Sequence, residues 1–362
     1  MPMADIQHAI PARRLTPELR RLVAGVQRNC DIADAQYAGN ATLCIYLLEM
    51  REFYRWEQGL GPNAALDRQA VGDWVVAREQ HWQELEDAEL TPLLLDGIAH
   101  DPFDEDAINR RLAAHGLAYG AGYGRGGRPV FFLGQLWQRE DFDGYRIHVI
   151  GDELARDLVA PPAMSREGRI FVRRESVRRM VLEATEAWQF RGQPEDGMGR
   201  ALRAYGHDPD RDPAFERVVE GELEAAVWHE VGEVLAGDFL GPDWQECMAE
   251  VLGTRSERVL RAVRDHLADT LVTLPVLLSG PATTGALHFY FANLGGMRAA
   301  LFPQLREAYE DAVREGSPEP IKRLVVPARE HWLATARRLL AEAPERWPTA
   351  DAQLPALRPA RA

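Results

Sequence analysis

The residues best placed to do chemistry lie in two segments of the second half of the chain. The stretch EGELEAAVWHEVGEVLAG carries Glu222, His229 and Glu233, seven and then four residues apart. On a helix, at about 100° per residue, the three fall within roughly 40° of one another. The positions flanking this stripe are Ala225, Ala226, Gly232 and Ala236, small enough for a second helix or a ligand to come close. Gly232 costs a helix about 1 kcal/mol relative to alanine, and close approach is a reason to keep it. The second stretch, SERVLRAVRDHLADTLVTLPVLL, puts His266 and Asp269 on one face with Thr270 and Thr273. Beyond Asp269 it turns almost wholly apolar, so Asp269 is expected to be at least partly buried. A buried carboxylate needs a cation, a metal or a set of donors.

Two helices that each carry a histidine and a carboxylate can converge on one divalent ion, and imidazole with carboxylate suits iron, manganese or zinc. The expected ligands are His229, Glu233, His266 and Asp269, with Glu222 or Glu49 as a further one. Glu230 or Glu222 is the candidate general base for a metal-activated water; with iron, an open position would bind oxygen. The expected function is metal binding, extending to a hydrolytic or iron-dependent redox enzyme acting on a small molecule. The alternative is a non-enzymatic binding or accessory protein whose histidine–acid pairs are structural.

The motifs are incomplete. His229-Glu230-x-x-Glu233 resembles the opening of a zincin motif, but the second histidine is missing. Bundle di-iron proteins use Glu-x-x-His, and here each histidine precedes its carboxylate. In the structural alternative Glu233 pairs with an arginine, His229 donates to a carbonyl, and His266 and Asp269 satisfy each other. A second cluster, NCDIADAQYAGNATLCIYLLEMREFYRWE, holds Cys30, Asp31, Asp34, Cys44, Glu49 and Glu52. In the structural alternative Asp31 or Asp34 caps a helix, Cys30 and Cys44 are small core residues, and the glutamates pair with Arg51 and Arg55. The run YGAGYGRGG lacks the lysine of a P-loop and sits between β-prone runs, so it reads as a hairpin. His288, among the aromatics of LHFYFANLGGMRAALFP, lines a small-molecule pocket or sits in the core. No GxSxG occurs.

The elements that must position these residues are mostly helices. Helical spacing covers 17–26, 42–58, 67–88 with Asp67 as cap, and 104–115. Residues 116–150 change character: eight glycines punctuate β-prone runs such as PVFFLGQLW and GYRIHVIG. RIFVR at 169–173 adds a strand after Pro161-Pro162. Helices resume at 175–189, 213–236, 244–252, 256–278, 287–315 and 320–343. The expected class is mainly α: a helical bundle with a small antiparallel β-meander inserted near residues 116–172. This divides the chain into a helical region 1–115, the meander, a helical region 173–345 and a loose proline-rich tail 346–362.

Composition narrows the class. Of 362 residues, 42 are Lys or Arg and 56 are Asp or Glu, giving a net charge of −14. That charge repels phosphate backbones, and no basic stripe interleaves with aromatics, so no nucleic-acid partner is expected. Three cysteines make no disulfide framework. The start lacks an apolar stretch, and the longest apolar run, Leu271–Leu278, falls far short of the roughly 20 residues that span a bilayer. No membrane partner is expected, and a cytoplasmic location is. The stretches NCDIADAQYAGNATLCIYLLEMREFYRWE, ELARDLVAPPAM, WHEVGE, LADTLVTLPVLL and LHFYFANLGGMRAALFP resemble an uncharacterised family of bacterial proteins. The resemblance spans most of the chain; it implies a bacterial cytoplasmic origin and carries no mechanism.

Overall fold

The computed structural model describes residues 15–40, 42–61, 64–166, 168–191, 195–206, 212–342, 347 and 353–360. The chain divides into two compact units, Met1–Leu182 and Glu183–Ala362. The reading of the first residues as free of a leader falls outside the described part.

The N-terminal unit opens with helix α1 (Pro17–Tyr37), where the Thr16 hydroxyl accepts from the Leu19 amide at 3.2 Å. Pro17 occupies the first helical position, where a missing N–H costs nothing. Helices α2 (Leu43–Glu57) and α3 (Arg68–Gln83) follow, the latter capped by Asp67 accepting from the Ala70 amide at 2.8 Å. A short hairpin, β1 (Leu93–Leu95) and β2 (Ile98–His100), turns on Asp96-Gly97, both at positive φ. The sequence LLLDGIAH is a hairpin signal that the all-helical reading of 1–115 passed over. Helix α4 (Glu105–Leu112) leads into the sheet.

Five strands build that sheet: β3 (Leu117–Tyr123), β4 (Pro129–Phe142), β5 (Tyr145–Arg156), β6 (Ala163–Arg166) and β7 (Arg169–Arg173), in the order β3-β4-β5-β7-β6. The first three form the expected antiparallel meander. Asp143-Gly144, with φ of 48° and 86°, makes the turn whose twist matches the flanking strands. The small meander is nonetheless corrected to a mixed sheet, because β7 runs parallel to β5, with Ile147 opposite Ile170. After β5 the chain turns back through residues 157–162, and β6 pairs antiparallel with β7, which enters alongside β5. Strand propensity reports an extended backbone, not the direction of its partner. The glycine run gives room to aromatic rings: Gly120 lies opposite Phe132, and a Cβ there would sit 2.2 Å from that ring.

Leu22, Val26 and Cys30 of α1 pack on Tyr119, Phe131 and Leu133 of the sheet. The same interface buries charge. Asp34 accepts from the Leu158 amide at 3.0 Å and pairs with Arg128, while Arg173, fully buried, meets Glu153 at 2.5 Å and Asp157 at 3.7 Å.

Helix α5 (Arg174–Arg191) runs across the boundary in sequence between the units. The C-terminal unit then consists of α6 (Gly197–Ala204), α7 (Asp212–Leu240), α8 (Pro242–Glu250), α9 (Arg255–Ala268), a wide π turn (Asp269–Thr273), α10 (Leu274–Leu277), α11 (Thr284–Asn293), α12 (Gly296–Leu301), α13 (Pro303–Glu315) and α14 (Glu319–Ala341). The single helix expected over 287–315 is three, because Gly295 and Pro303 interrupt it. Trp244, Leu260, Val263, Phe302 and Trp332 anchor the core. Trp347, Leu354 and Leu357 join it, and the Trp347 indole donates to the Leu339 carbonyl at 2.9 Å. The described part of 346–362 is therefore packed, not loose, because its apolar residues outweigh the prolines between them. No single helix among the described residues is long and apolar enough to cross a membrane; Leu274 and Leu277 of the apolar run are core residues.

Candidate functional site

Gly232 has the close neighbour its position implied. A Cβ on it would stand 2.7 Å from the Ala268 carbonyl oxygen, so α7 and α9 touch backbone to backbone there. That contact sets His229 and Glu233 of α7 against the end of α9 and the π turn. His229 Nδ1 lies 3.4 Å from Asp269 Oδ1, and Nε2 lies 3.5 Å from Glu233 Oε1. Arg264 donates to Glu233 at 2.6 Å, Arg298 pairs with Asp269, and the Tyr290 hydroxyl donates to Asp269 Oδ2 at 2.7 Å. The π turn is closed by the Leu274 amide donating to the Asp269 carbonyl. Pro275 follows it; in a regular helix its ring would press on the Leu271 carbonyl, and the wider turn relieves that clash.

The electrostatics follow from these contacts. Burial opposes charge on His229, but Asp269 and Glu233 outweigh it and raise the imidazole pKa well above its ordinary value. Burial also opposes charge on the two acids. Arg298 and His229 outweigh it at Asp269, and Arg264 and His229 at Glu233, so both stay below the usual carboxylate range. Asp265, beside them, is pushed up to about 6 by burial and by Glu233. The result is a lattice of alternating charges joining α7, α9, α11 and α12.

Three of the expected ligands thus come together: His229, Glu233 and Asp269. His266 does not join them. It is fully buried, its ring stacks on Trp332 at 4.8 Å, and Nε2 meets the Arg298 carbonyl at 2.9 Å. Burial lowers its pKa to about 4, so it is a neutral core histidine. Glu222 is held by the Tyr205 hydroxyl at 3.0 Å, and burial raises its carboxyl well above the usual range. The Tyr205 ring fills a slot between Gly221 of α7 and Gly285 of α11, where a Cβ would come within 2.3 Å and 2.6 Å of it. Glu230 is buried on α7, and Glu49 is half-buried on α2 of the N-terminal unit. Among the described residues no group of three or more His, Cys, Asp or Glu side chains is arranged to hold a metal ion. Sequence reasoning missed Arg264, Tyr290 and Arg298, the groups that occupy the two acids. Arg264 is the arginine expected opposite Glu233 in the structural alternative, and it lies in α9 just before Asp269; nothing local announces Arg298.

His288 lines a cleft of about 520 Å³ in the C-terminal unit. Its walls are largely apolar, with Leu277, Leu287, Val313 and Ile321, and Arg200 and Lys322 add positive charge. His288 Nδ1 lies 3.0 Å from the Tyr309 hydroxyl, to which Arg200 donates at 3.2 Å. Arg200 also pairs with Glu310 at 3.3 Å. Burial and the nearby Arg200 lower the His288 pKa. Because Arg200 can only donate, the chain is satisfied when the Tyr309 hydroxyl accepts from Arg200 and donates its own hydrogen bond to an unprotonated Nδ1. This leaves Nε2–H as the ring's remaining donor.

Residues 21–173 match the N-terminal domain, and residues 178–360 the C-terminal domain, of a family of unknown function, DUF6866, and the chain belongs to that family. No curated protein and no solved structure matches the chain.

Proposed function

We propose that the C-terminal unit binds a small amphipathic anion in the His288 cleft, and that the His229–Glu233–Asp269 lattice serves to hold the helices in place. The supporting observation is the cleft itself: about 520 Å³, apolar along its walls, with Arg200, Tyr309 and His288 in one hydrogen-bonded chain and Lys322 on its lining. Sites for small molecules are commonly of this kind, mostly apolar with a few convergent polar groups, at roughly 300–1,000 Å³. A carboxylate with a short hydrocarbon tail satisfies both halves: its head meets the cations and the imidazole N–H, and its tail covers the leucines. Calorimetric titration with octanoate tests this. Saturable binding that weakens about tenfold or more in Arg200→Ala and in His288→Ala is expected, with each lost charge-assisted bond contributing about 1.5–3 kcal/mol. Absence of saturable binding, or variants that bind as tightly as the parent, overturns it.

A second reading, a divalent ion held by His229, Glu233 and Asp269, keeps one observation in its favour: three of the expected ligands do converge. Against it, each acid already carries an arginine, and a protonated His229 offers no lone pair to a metal. The candidate base Glu222 fares no better, because burial raises its pKa and it holds its proton. Elemental analysis of protein purified without chelator decides between the readings. Iron, manganese or zinc near one equivalent, lost in His229→Ala, would replace the structural account of the lattice.

A further inference from the structure

A second cleft, of about 290 Å³, lies wholly within the N-terminal unit. The end of α2, the turn at 59–61, the last residue of β5 and the first turns of α5 enclose it. Four arginines line it, Arg55, Arg156, Arg178 and Arg179, in a chain whose net charge is −14. Two acids line it too. Glu52 is paired with Arg51 at 2.7 Å and Arg55 at 3.3 Å. Glu175 is pushed up to about 8, first by burial and then by Glu153, so at neutral pH it is an uncharged acid with an O–H to donate. At neutral pH the lining thus carries one carboxylate and four guanidinium groups, of which Arg55 donates to the Gly61 and Ala64 carbonyls and Arg179 to those of Leu158, Val159 and Ala160.

Arg156 makes the arrangement unusual. It is 3% exposed, lies over the Trp56 ring at 5.1 Å, and reaches Glu153 only at 3.8 Å. Among the described residues its Nε and Nη2 have no acceptor, and burial lowers its pKa to about 10. A buried guanidinium with unused donors carries a desolvation cost that a bound oxyanion offsets. Arginine forks match carboxylate and phosphate oxygens in pairs. A phosphate group brings about two charges and three terminal oxygens, which answer the unused Arg156 donors and the positive charge of the lining. Both faces of Trp56 are taken, by Phe53 stacked at 5.3 Å and by Arg156, so no ring is offered to a base. The cleft's size suits a compact ligand.

We propose that this cleft is a phosphate site, taking either free phosphate or the phosphate of a small monoester. It is independent of the His288 cleft. The test is calorimetric titration of the full chain with orthophosphate and, separately, with glycerol 3-phosphate, using chloride as the control anion. One-to-one binding is expected for at least one probe. A monoester that binds about tenfold tighter, about 1.4 kcal/mol, identifies an organic ligand; equal affinities identify free phosphate. Arg178→Glu, a change on a half-buried turn of α5, is expected to weaken binding about tenfold or more. Arg156→Lys, which keeps the charge and loses the fork, is expected to weaken it as well. No binding by either probe at millimolar concentration, equal response to chloride, or unchanged affinity in both variants overturns the proposal.

Discussion

Replacing Gly232 with alanine and, separately, Gly237 with alanine tests the contact on which the C-terminal lattice is built. Both glycines lie in α7, so both substitutions gain the same helix propensity, about 1 kcal/mol. They differ in what the new methyl meets. At Gly237 nothing lies within 4 Å, whereas at Gly232 the Ala268 carbonyl oxygen stands at 2.7 Å and its carbon at 3.2 Å. The obstacle is backbone of a packed helix, which cannot rotate away, so overpacking there costs about 1–3 kcal/mol. Gly237→Ala should therefore stabilise by about 1 kcal/mol, and Gly232→Ala should range from neutral to about 2 kcal/mol destabilising. The difference between them, in which propensity cancels, is the clash alone. For a unit of this size 1 kcal/mol moves the melting temperature by about 2–4 °C. Urea and thermal unfolding followed by circular dichroism read both. If Gly232→Ala stabilises as much as Gly237→Ala, α7 and α9 are not in backbone contact and the reasoning fails.

Asp269→Asn leaves Arg298 and His229 without their shared anion and should cost about 3 kcal/mol, read by urea unfolding, with the His229 pKa falling by NMR titration. Because Asp269 and Glu233 are held below the usual carboxylate range, their contribution is present above about pH 4 and lost as pH falls through the depressed values; the variant should flatten that acid limb. Glu175 has the opposite sign. Folded protein keeps a proton that the unfolded chain releases, so stability declines as pH rises from about 4.5 to about 8, by at most about 1.4 kcal/mol per pH unit. Glu175→Gln should reduce this slope in unfolding measured at several pH values, and Glu105, pushed to about 7 by burial, should maintain part of it. Tyr205→Phe removes the hydroxyl that donates to Glu222 and should cost about 1 kcal/mol by the same unfolding assay.

How legible the site was depended on distance along the chain. The shared face of Glu222, His229 and Glu233 is a matter of helix period, and a glycine beside it pointed correctly to a close neighbour. Burial of Asp269 followed from the apolar residues after it. What periodicity cannot carry is who arrives from elsewhere. Arg298 reaches Asp269 from another helix, and Tyr205 takes Glu222 out of the stripe it shares with His229. His266 looked like a partner of Asp269 by spacing, yet the ring is claimed by Trp332 and the Arg298 carbonyl. The fold divides likewise: helices, caps and the Asp143-Gly144 turn are local and were readable, whereas the parallel seating of β7 beside β5 depends on a return path that no propensity encodes. The arginines of the N-terminal cleft are dispersed over positions 55 to 179 and only the fold gathers them.

The tyrosine slot has a consequence for how this sequence can change. Positions 205, 221 and 285 share one volume: a methyl at either glycine needs the ring gone, and a ring at 205 needs both positions bare. Mutational drift at these three sites is therefore correlated, and no single step away from the present combination is free. In related chains the trio should vary jointly or hardly at all, whatever ligand each of them carries.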